Sequence, residues 1–252
     1  MKLAALQAPS PAGDMDMAFD TLAWALHAAG AAGASMLTAP EVWMQGYNQN
    51  NIAHLALTRG DEWQRRISAL CQKTRCALTV GYAESSNGAV YNSALVINDQ
   101  GQDIAHYRKL QLYGPREKSL YLAGNAYCTF ELEGQKAAVL ICYDVEFSPH
   151  LAALTSMGVT IIFVPTANME PFTHVVNYTV PAMAANHGVS IVYANFCGVE
   201  GNLTYIGGSL IAGRDGAVLA QAGTCPSLLV AELPSFSSAV LSTQATDFRK
   251  VL

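Results

Sequence analysis

Two stretches far apart in this chain are written to nearly the same pattern. LVINDQGQDIA at 95–105 and LIAGRDGAVLA at 210–220 each pass from an apolar run through a polar turn into a second run, with Gly101 and Gly216 at equivalent places. A glycine between two such runs marks a β-hairpin. MLTAPE (36–41) and IFVPTA (162–167) are β-rich runs that each meet a proline, and TVGYAE (79–84) resembles IVYANF (191–196). Each half therefore reads strand, helix, strand, helix, strand, hairpin. This duplication constrains the fold strongly, because whatever one half forms the other must form too.

The spacing predicts strands over 2–8, 35–39, 77–83, 93–97, 137–142, 160–164, 190–195 and 209–212, and helices over 17–32, 61–73, 149–156 and 174–186. Asp16 and the Gly60-Asp61 pair offer helix starts, and Gly33 and Gly188 offer stops. Alternating elements of this kind imply an α/β fold. Two sheets that each need both faces covered give a four-layer αββα sandwich of two pseudo-symmetric halves. With 252 residues, 51% of them hydrophobic, and no Pro/Gly/Ser-rich linker, the expectation is one domain over 1–252. The Ser-rich tail after Leu233 is weakly patterned and is expected to extend along the surface or a partner.

A net charge of -5 and the lack of any basic run argue against nucleic-acid or anionic-membrane partners. The opening MKLAALQAPSP is too short in its apolar part for a signal peptide, and no run approaches membrane-spanning length. The six cysteines form no CxxC pair, so a reducing cytoplasm is expected. The six histidines form no HExxH pair, and no GxGxxG or P-loop occurs, so neither a metal nor a cofactor is expected. The sequence also lacks a GxSxG elbow and an SxxK pair, although a Cys-His dyad stays open until the histidines are placed.

Three chemically able residues stand at predicted strand ends: Glu41 in TAPEVWMQGYN, Lys109 in AHYRKLQLYG and Cys142 in ICYDVEF. Strand ends are where open α/β sheets place ligand sites. Singly, each has an ordinary reading as a loop charge, a surface lysine or an inert core thiol. Together with their surroundings they resemble the carbon-nitrogen hydrolase (nitrilase-like) superfamily. The motifs occur in order as PE-x-x-x-x-GY (Pro40 to Tyr47), YRK-x-x-L-x-G (Tyr107 to Gly114) and ICYD-x-EF (Ile141 to Phe147), and the resemblance covers nearly the whole chain.

That resemblance implies an amide hydrolase with an αββα architecture. It makes Cys142 the nucleophile, Glu41 the base, and Lys109, with the backbone N–H of Tyr143, the holder of the oxyanion. A thiol with an ordinary pKa near ~8.5 is a few per cent thiolate at neutral pH, so such a base is needed. Glu117, eight residues past Lys109, matches a second glutamate that positions lysine and substrate in many members; the alternative is a surface charge beside Arg116 and Lys118. The family resemblance also implies a homodimer or larger assembly, through helices flanking Cys142 and the tail, where TDFRKVL resembles a truncated family C-terminus.

Tyr143-Asp144 after the cysteine resembles the amide-cleaving branches, whereas nitrile-cleaving members generally carry Trp-Glu there. Carboxylate-directed amidases often have CYD-x-RF; this chain has Glu146 at the arginine's place. A carboxylate there would attract an amine, and the sequence looks most like the 5-aminopentanamidase group. Alternatively, Glu146 pairs with an arginine or caps the helix starting near Pro149. Asn168 and Met169 are expected as pocket walls, Glu170 as a second amine partner, and Tyr47 and Trp43 as the first-half side of the pocket. The same triad would serve an N-carbamoyl compound or a short neutral amide, and a catalytically idle scaffold is the non-enzyme alternative.

Overall fold

Strand β1 (Lys2–Gln7) shows how the layers are built. Its residues alternate: Leu3 and Ala5 face a core shared with the second half of the chain, while Ala4 and Leu6 face a helix layer. In the computed structural model, which describes residues 1–235 and 241–249, the same alternation is repeated across two six-stranded sheets.

After β1 come helix α1 (Met15–Ala31), β2 (Met36–Thr38), the short α2 (Ile52–Leu55), α3 (Glu62–Thr74) and the strands β3 (Ala77–Ser86), β4 (Ala89–Ile97) and β5 (Asp103–Arg108). Helix α4 (Gly114–Leu120) leads into β6 (Thr129–Leu132) and β7 (Gln135–Val139). A 3-10 turn at Cys142–Glu146, α5 (Ser148–Ser156), β8 (Ile161–Pro165), a π-type turn at Val175–Thr179 and α6 (Val180–His187) follow. The chain continues through β9 (Ser190–Ala194), β10 (Cys197–Glu200), β11 (Leu203–Ile206), β12 (Leu210–Ala212), β13 (Val218–Gln221), β14 (Ser227–Glu232) and α7 (Gln244–Asp247).

One sheet has the order β14-β1-β2-β3-β4-β5 and the other β6-β7-β8-β9-β12-β13. The two orders correspond strand for strand. In both, the second to fourth strands are parallel and every other pairing is antiparallel. The repeated hairpins are β4-β5 and β12-β13, with Gly101 and Gly216 at φ 78 and 82. Helices α1 and α3 cover the first sheet through Phe19, Leu22, Leu26 and Ile67, and α5 and α6 cover the second through Leu151, Leu154, Val180 and Ala184. The αββα sandwich expected from the duplication is the observed architecture. No helix among the described residues is long and apolar enough to cross a membrane.

Several boundaries differ from the sequence reading. Asp14, not Asp16, caps α1 by accepting from Met17 N. Asp61 sits at the start of α3 without a side-chain cap bond, and Gln64 instead accepts from Gly60 N. The helix expected over 174–186 opens as a wider turn because Pro181 has no N–H to give its first turn. Gly188 ends it in the left-handed region as expected. Strands β6, β10, β11 and β14 lacked a clear apolar alternation and were not expected. Part of the tail, 236–240 and 250–252, lies outside the described residues, and with it the end of TDFRKVL.

Candidate active site

The site forms where the two halves meet. Beyond β2, the backbone N–H of Glu41 donates to Thr166 O at 3.2 Å, joining the two proline-bearing strand ends. Lys109 follows β5 directly; its N–H donates to Asn92 O in β4, and its carbonyl accepts from Gly124 N. Cys142 does not end a strand, as the sequence suggested. β7 stops at Val139, and Cys142 opens a 3-10 turn at φ 46, a left-handed conformation that costs a non-glycine residue ~1–3 kcal/mol. Asp144 holds this elbow. It accepts from Ile141 N at 3.0 Å, from Gln111 N at 2.7 Å and from Tyr107 Oη at 2.8 Å, so the cysteine turn is fastened to the segment that carries Lys109.

Behind the thiol lies a buried charge network. Lys109 Nζ donates to Glu41 Oε1 at 2.6 Å and to Glu117 Oε1 at 2.8 Å, and all three side chains are fully shielded from water. Glu117 is thereby a buried member of the network, not a surface charge. Tyr47 Oη donates to Glu117 Oε1 at 2.7 Å and Tyr113 N to Glu117 Oε2 at 2.9 Å. Asn92 Nδ2 donates to Glu41 Oε1 at 2.7 Å. Glu41 Oε2 is buried without a hydrogen-bond partner among the described residues.

These contacts set the protonation states. Burial pushes Glu41 up to about 6, against the opposing pull of Lys109. Burial also disfavours the Lys109 ammonium, but Glu117 and Glu41 overcome it and hold the lysine protonated. Burial and then the Glu41 charge push the Cys142 thiol up, while Lys109 and the Ala167 backbone work the other way. At neutral pH the resting arrangement is a thiol beside a carboxylate and an ammonium, suited to proton transfer at the moment of attack.

Cys142 opens into a cavity of about 200 Å³, below the ~300–1,000 Å³ of sites for drug-sized ligands. Tyr47, Tyr143, Glu146, Asn168 and Met169 line it, and so do Tyr113, Phe172 and His174, which sequence reasoning did not single out. Glu146 does not cap α5, whose cap position is Phe147, and it forms no ion pair with an arginine among the described residues. Burial pushes its carboxyl up, while His174 and Lys109 pull it down.

Glu170, expected as a second amine partner, and Trp43, expected at the pocket, lie elsewhere. Glu170 is exposed and does not line the cavity; its backbone N–H donates to Thr204 O. Trp43 is core: it stacks on Phe196 at 5.8 Å and donates Nε1 to Ala18 O. A histidine stands at the cavity, but His174 is exposed, and no hydrogen bond or ion pair joins it to Cys142. Asn92 was also missed; its only signal was a polar residue interrupting an apolar strand.

Residues 2–239 match the family model described as carbon-nitrogen hydrolase. The chain is 37% identical over 204 residues to a hydrolase in the pqqF 5′ region of Pseudomonas protegens, spanning 79% of this chain and 72% of that protein. It is 30% identical over 208 residues to the 2-oxoglutaramate amidase of Bacillus subtilis, spanning 82% and 80%. The solved structure of the NitN amidase from Nesterenkonia sp. AN1 superimposes with a TM-score of 0.89 at 30% identity, over 99% of this chain and 96% of that one. That amidase has been captured with butyramide and, separately, with acrylamide added to its active-site cysteine. A cysteine elbow backed by two carboxylates and a lysine, on a fold shared from end to end with an amidase, leaves one assignment: the chain belongs to the carbon-nitrogen hydrolase family, in its amidase branch.

Proposed function

We propose that the protein hydrolyses a short aliphatic amide bearing an amine at its far end, of the delta-aminovaleramide type. Cys142 attacks the amide carbonyl while Glu41 takes the thiol proton through its unpartnered Oε2. An ammonium has three donors, and Lys109 spends two on Glu41 and Glu117. The third, with the N–H of Tyr143, holds the developing oxyanion, an interaction commonly worth ~3 kcal/mol or more in the transition state. Glu41 returns the proton to the departing ammonia, leaving a thioester on Cys142. It then activates the water that releases the acid. Glu117 keeps Lys109 and Tyr47 in place throughout.

The observation that carries the substrate class is Glu146, a carboxylate on the wall of the same small cavity as Cys142. The relative from Bacillus subtilis is named for a carboxylate-bearing amide, whose acid end would here approach a like charge. A second reading, a short neutral amide, is favoured by the butyramide bound in the Nesterenkonia amidase. Ammonia release from delta-aminovaleramide, butyramide, a carboxylate-bearing amide and an N-carbamoyl amino acid, with Cys142→Ala as blank, separates these. Preference for the amino amide supports the reading, and preference for butyramide moves the neutral amide to the front. Strong turnover of the acid-bearing amide removes the charge argument and leaves the triad. No Cys142-dependent ammonia from any member points to the idle scaffold.

A further inference from the structure

The cavity wall offers aromatic rings beside its carboxylate. Tyr113, Tyr143 and Phe172 line it together with Glu146 and Cys142. The Tyr113 ring meets the Tyr143 ring at 5.4 Å and 76° and the Phe172 ring at 5.9 Å and 79°, so two rings stand nearly perpendicular to a third. Each is braced. Phe147 packs edge-on against Tyr143 at 4.8 Å, Tyr113 N donates to Glu117 Oε2, and Phe172 is held through its N–H to Met169 O and its carbonyl to Asn168 Nδ2.

We propose that Tyr113, Tyr143, Phe172 and Glu146 form an aromatic cage that binds the ammonium end of the substrate by its charge, so that N-methylated and quaternary ammonium amides are substrates too. This rests on the amine-bearing reading above and goes beyond it in naming how the amine is recognised. A primary ammonium held by hydrogen bonds needs acceptors for three N–H groups, and Glu146 is the sole carboxylate on this wall among the described residues. Ring faces attract a cation through their quadrupoles without any N–H to point at, and the carboxylate supplies the neutralising charge. Such a site reads charge and size and is indifferent to the number of N–H bonds.

The test compares kcat/KM for three amides of one chain length: delta-aminovaleramide, its N-trimethylated analogue, and the carbon isostere in which a tert-butyl group replaces the trimethylammonium. The cage requires the trimethylated amide to stay within about threefold of the primary amine and at least about tenfold above the tert-butyl isostere. In Phe172→Leu and Tyr113→Leu the ratio of trimethylated to tert-butyl amide falls by about fivefold or more, a ratio that a general loss of packing would leave alone. If the primary amine is preferred but the trimethylated amide does no better than its isostere, the cage is overturned and the amine reading survives on Glu146 alone. If the tert-butyl isostere matches or exceeds both cations, the amine reading falls and the cage falls with it.

Discussion

Lys109 places its ammonium 2.6 Å from Glu41 and 2.8 Å from Glu117, with no water contact for any of the three side chains. Two buried carboxylates thus depend on a single cation. Removing it leaves them facing each other in a medium that screens poorly, and breaking a buried pair from one side costs ~3–5 kcal/mol. Lys109→Met is therefore expected to lower the unfolding free energy by about 3 kcal/mol or more, and to abolish ammonia release. Lys109→Arg restores neither, because a planar guanidinium does not fit the place of a compact ammonium. Denaturant unfolding and turnover measured on both variants check this.

The acid side of the pH profile belongs to Glu41. Burial lifts it to about 6, and it serves as a base only when ionised. As pH falls through about 6 the carboxylate is protonated, so kcat/KM is expected to decline towards tenfold per pH unit below that point. A profile that stayed level down to about pH 5 would take the proton-accepting role away from Glu41.

Asn92 touches two members of the network: its side-chain N–H donates to Glu41, and its backbone carbonyl accepts from Lys109 N. Its own Oδ1 is buried without a partner among the described residues, so packing alone does not call for an amide there. Asn92→Leu removes a donor that favours the Glu41 carboxylate. The acid limb should move to higher pH and kcat should fall, with KM little changed and the melting temperature nearly preserved. A lower melting temperature with an unmoved limb would make Asn92 a structural residue only.

Much of this was legible in the sequence, for reasons that differ between elements. The β4-β5 and β12-β13 hairpins announced themselves because glycine at positive φ and apolar alternation are local signals. Glu41, Lys109 and Cys142 were found because their motifs are contiguous. Strand β14 was missed because its partner β1 lies at the other end of the chain, with Lys2 opposite Glu232, and its burial comes from tertiary packing. Trp43 was misplaced because an aromatic after a strand points into core or cavity according to backbone turns such as Val42 at φ 49, which no local pattern specifies. Tyr113 reaches the cavity from the segment before α4, and Phe172 and His174 from the one after β8, a convergence that only the folded chain displays.

Glu146 should govern the choice of substrate and not the rate of chemistry. It is partly exposed on the cavity wall, whereas the thiol's charge partners lie behind it. Glu146→Gln keeps shape and removes charge, so kcat/KM for delta-aminovaleramide is expected to fall about tenfold while that for butyramide changes less. Glu146→Arg should invert the order and favour the carboxylate-bearing amide. Equal losses on charged and neutral amides would place Glu146 in the support of the elbow instead.

Gly81 offers a test of how finely Glu41 must be placed. A methyl group there would lie 2.5 Å from Val42 N, 2.6 Å from Pro40 O and 2.8 Å from Glu41 Cα, all backbone atoms that cannot swing aside. Either β3 or the segment carrying Glu41 must shift. Overpacking of this kind costs ~1–3 kcal/mol, which a large α/β chain survives. A displacement of about 1 Å at a catalytic group costs about a hundredfold in rate, so Gly81→Ala should lose far more activity than stability. Gly223→Ala, where an added methyl meets nothing within 4 Å, is the control and should behave as the parent. Thermal melts and ammonia release on the pair, with alkylation of Cys142 to show that the elbow persists, make the comparison. Activity that survived in Gly81→Ala would mean that β3 yields while the bond from Glu41 N to Thr166 O keeps Glu41 in place, or that Glu41 tolerates the displacement.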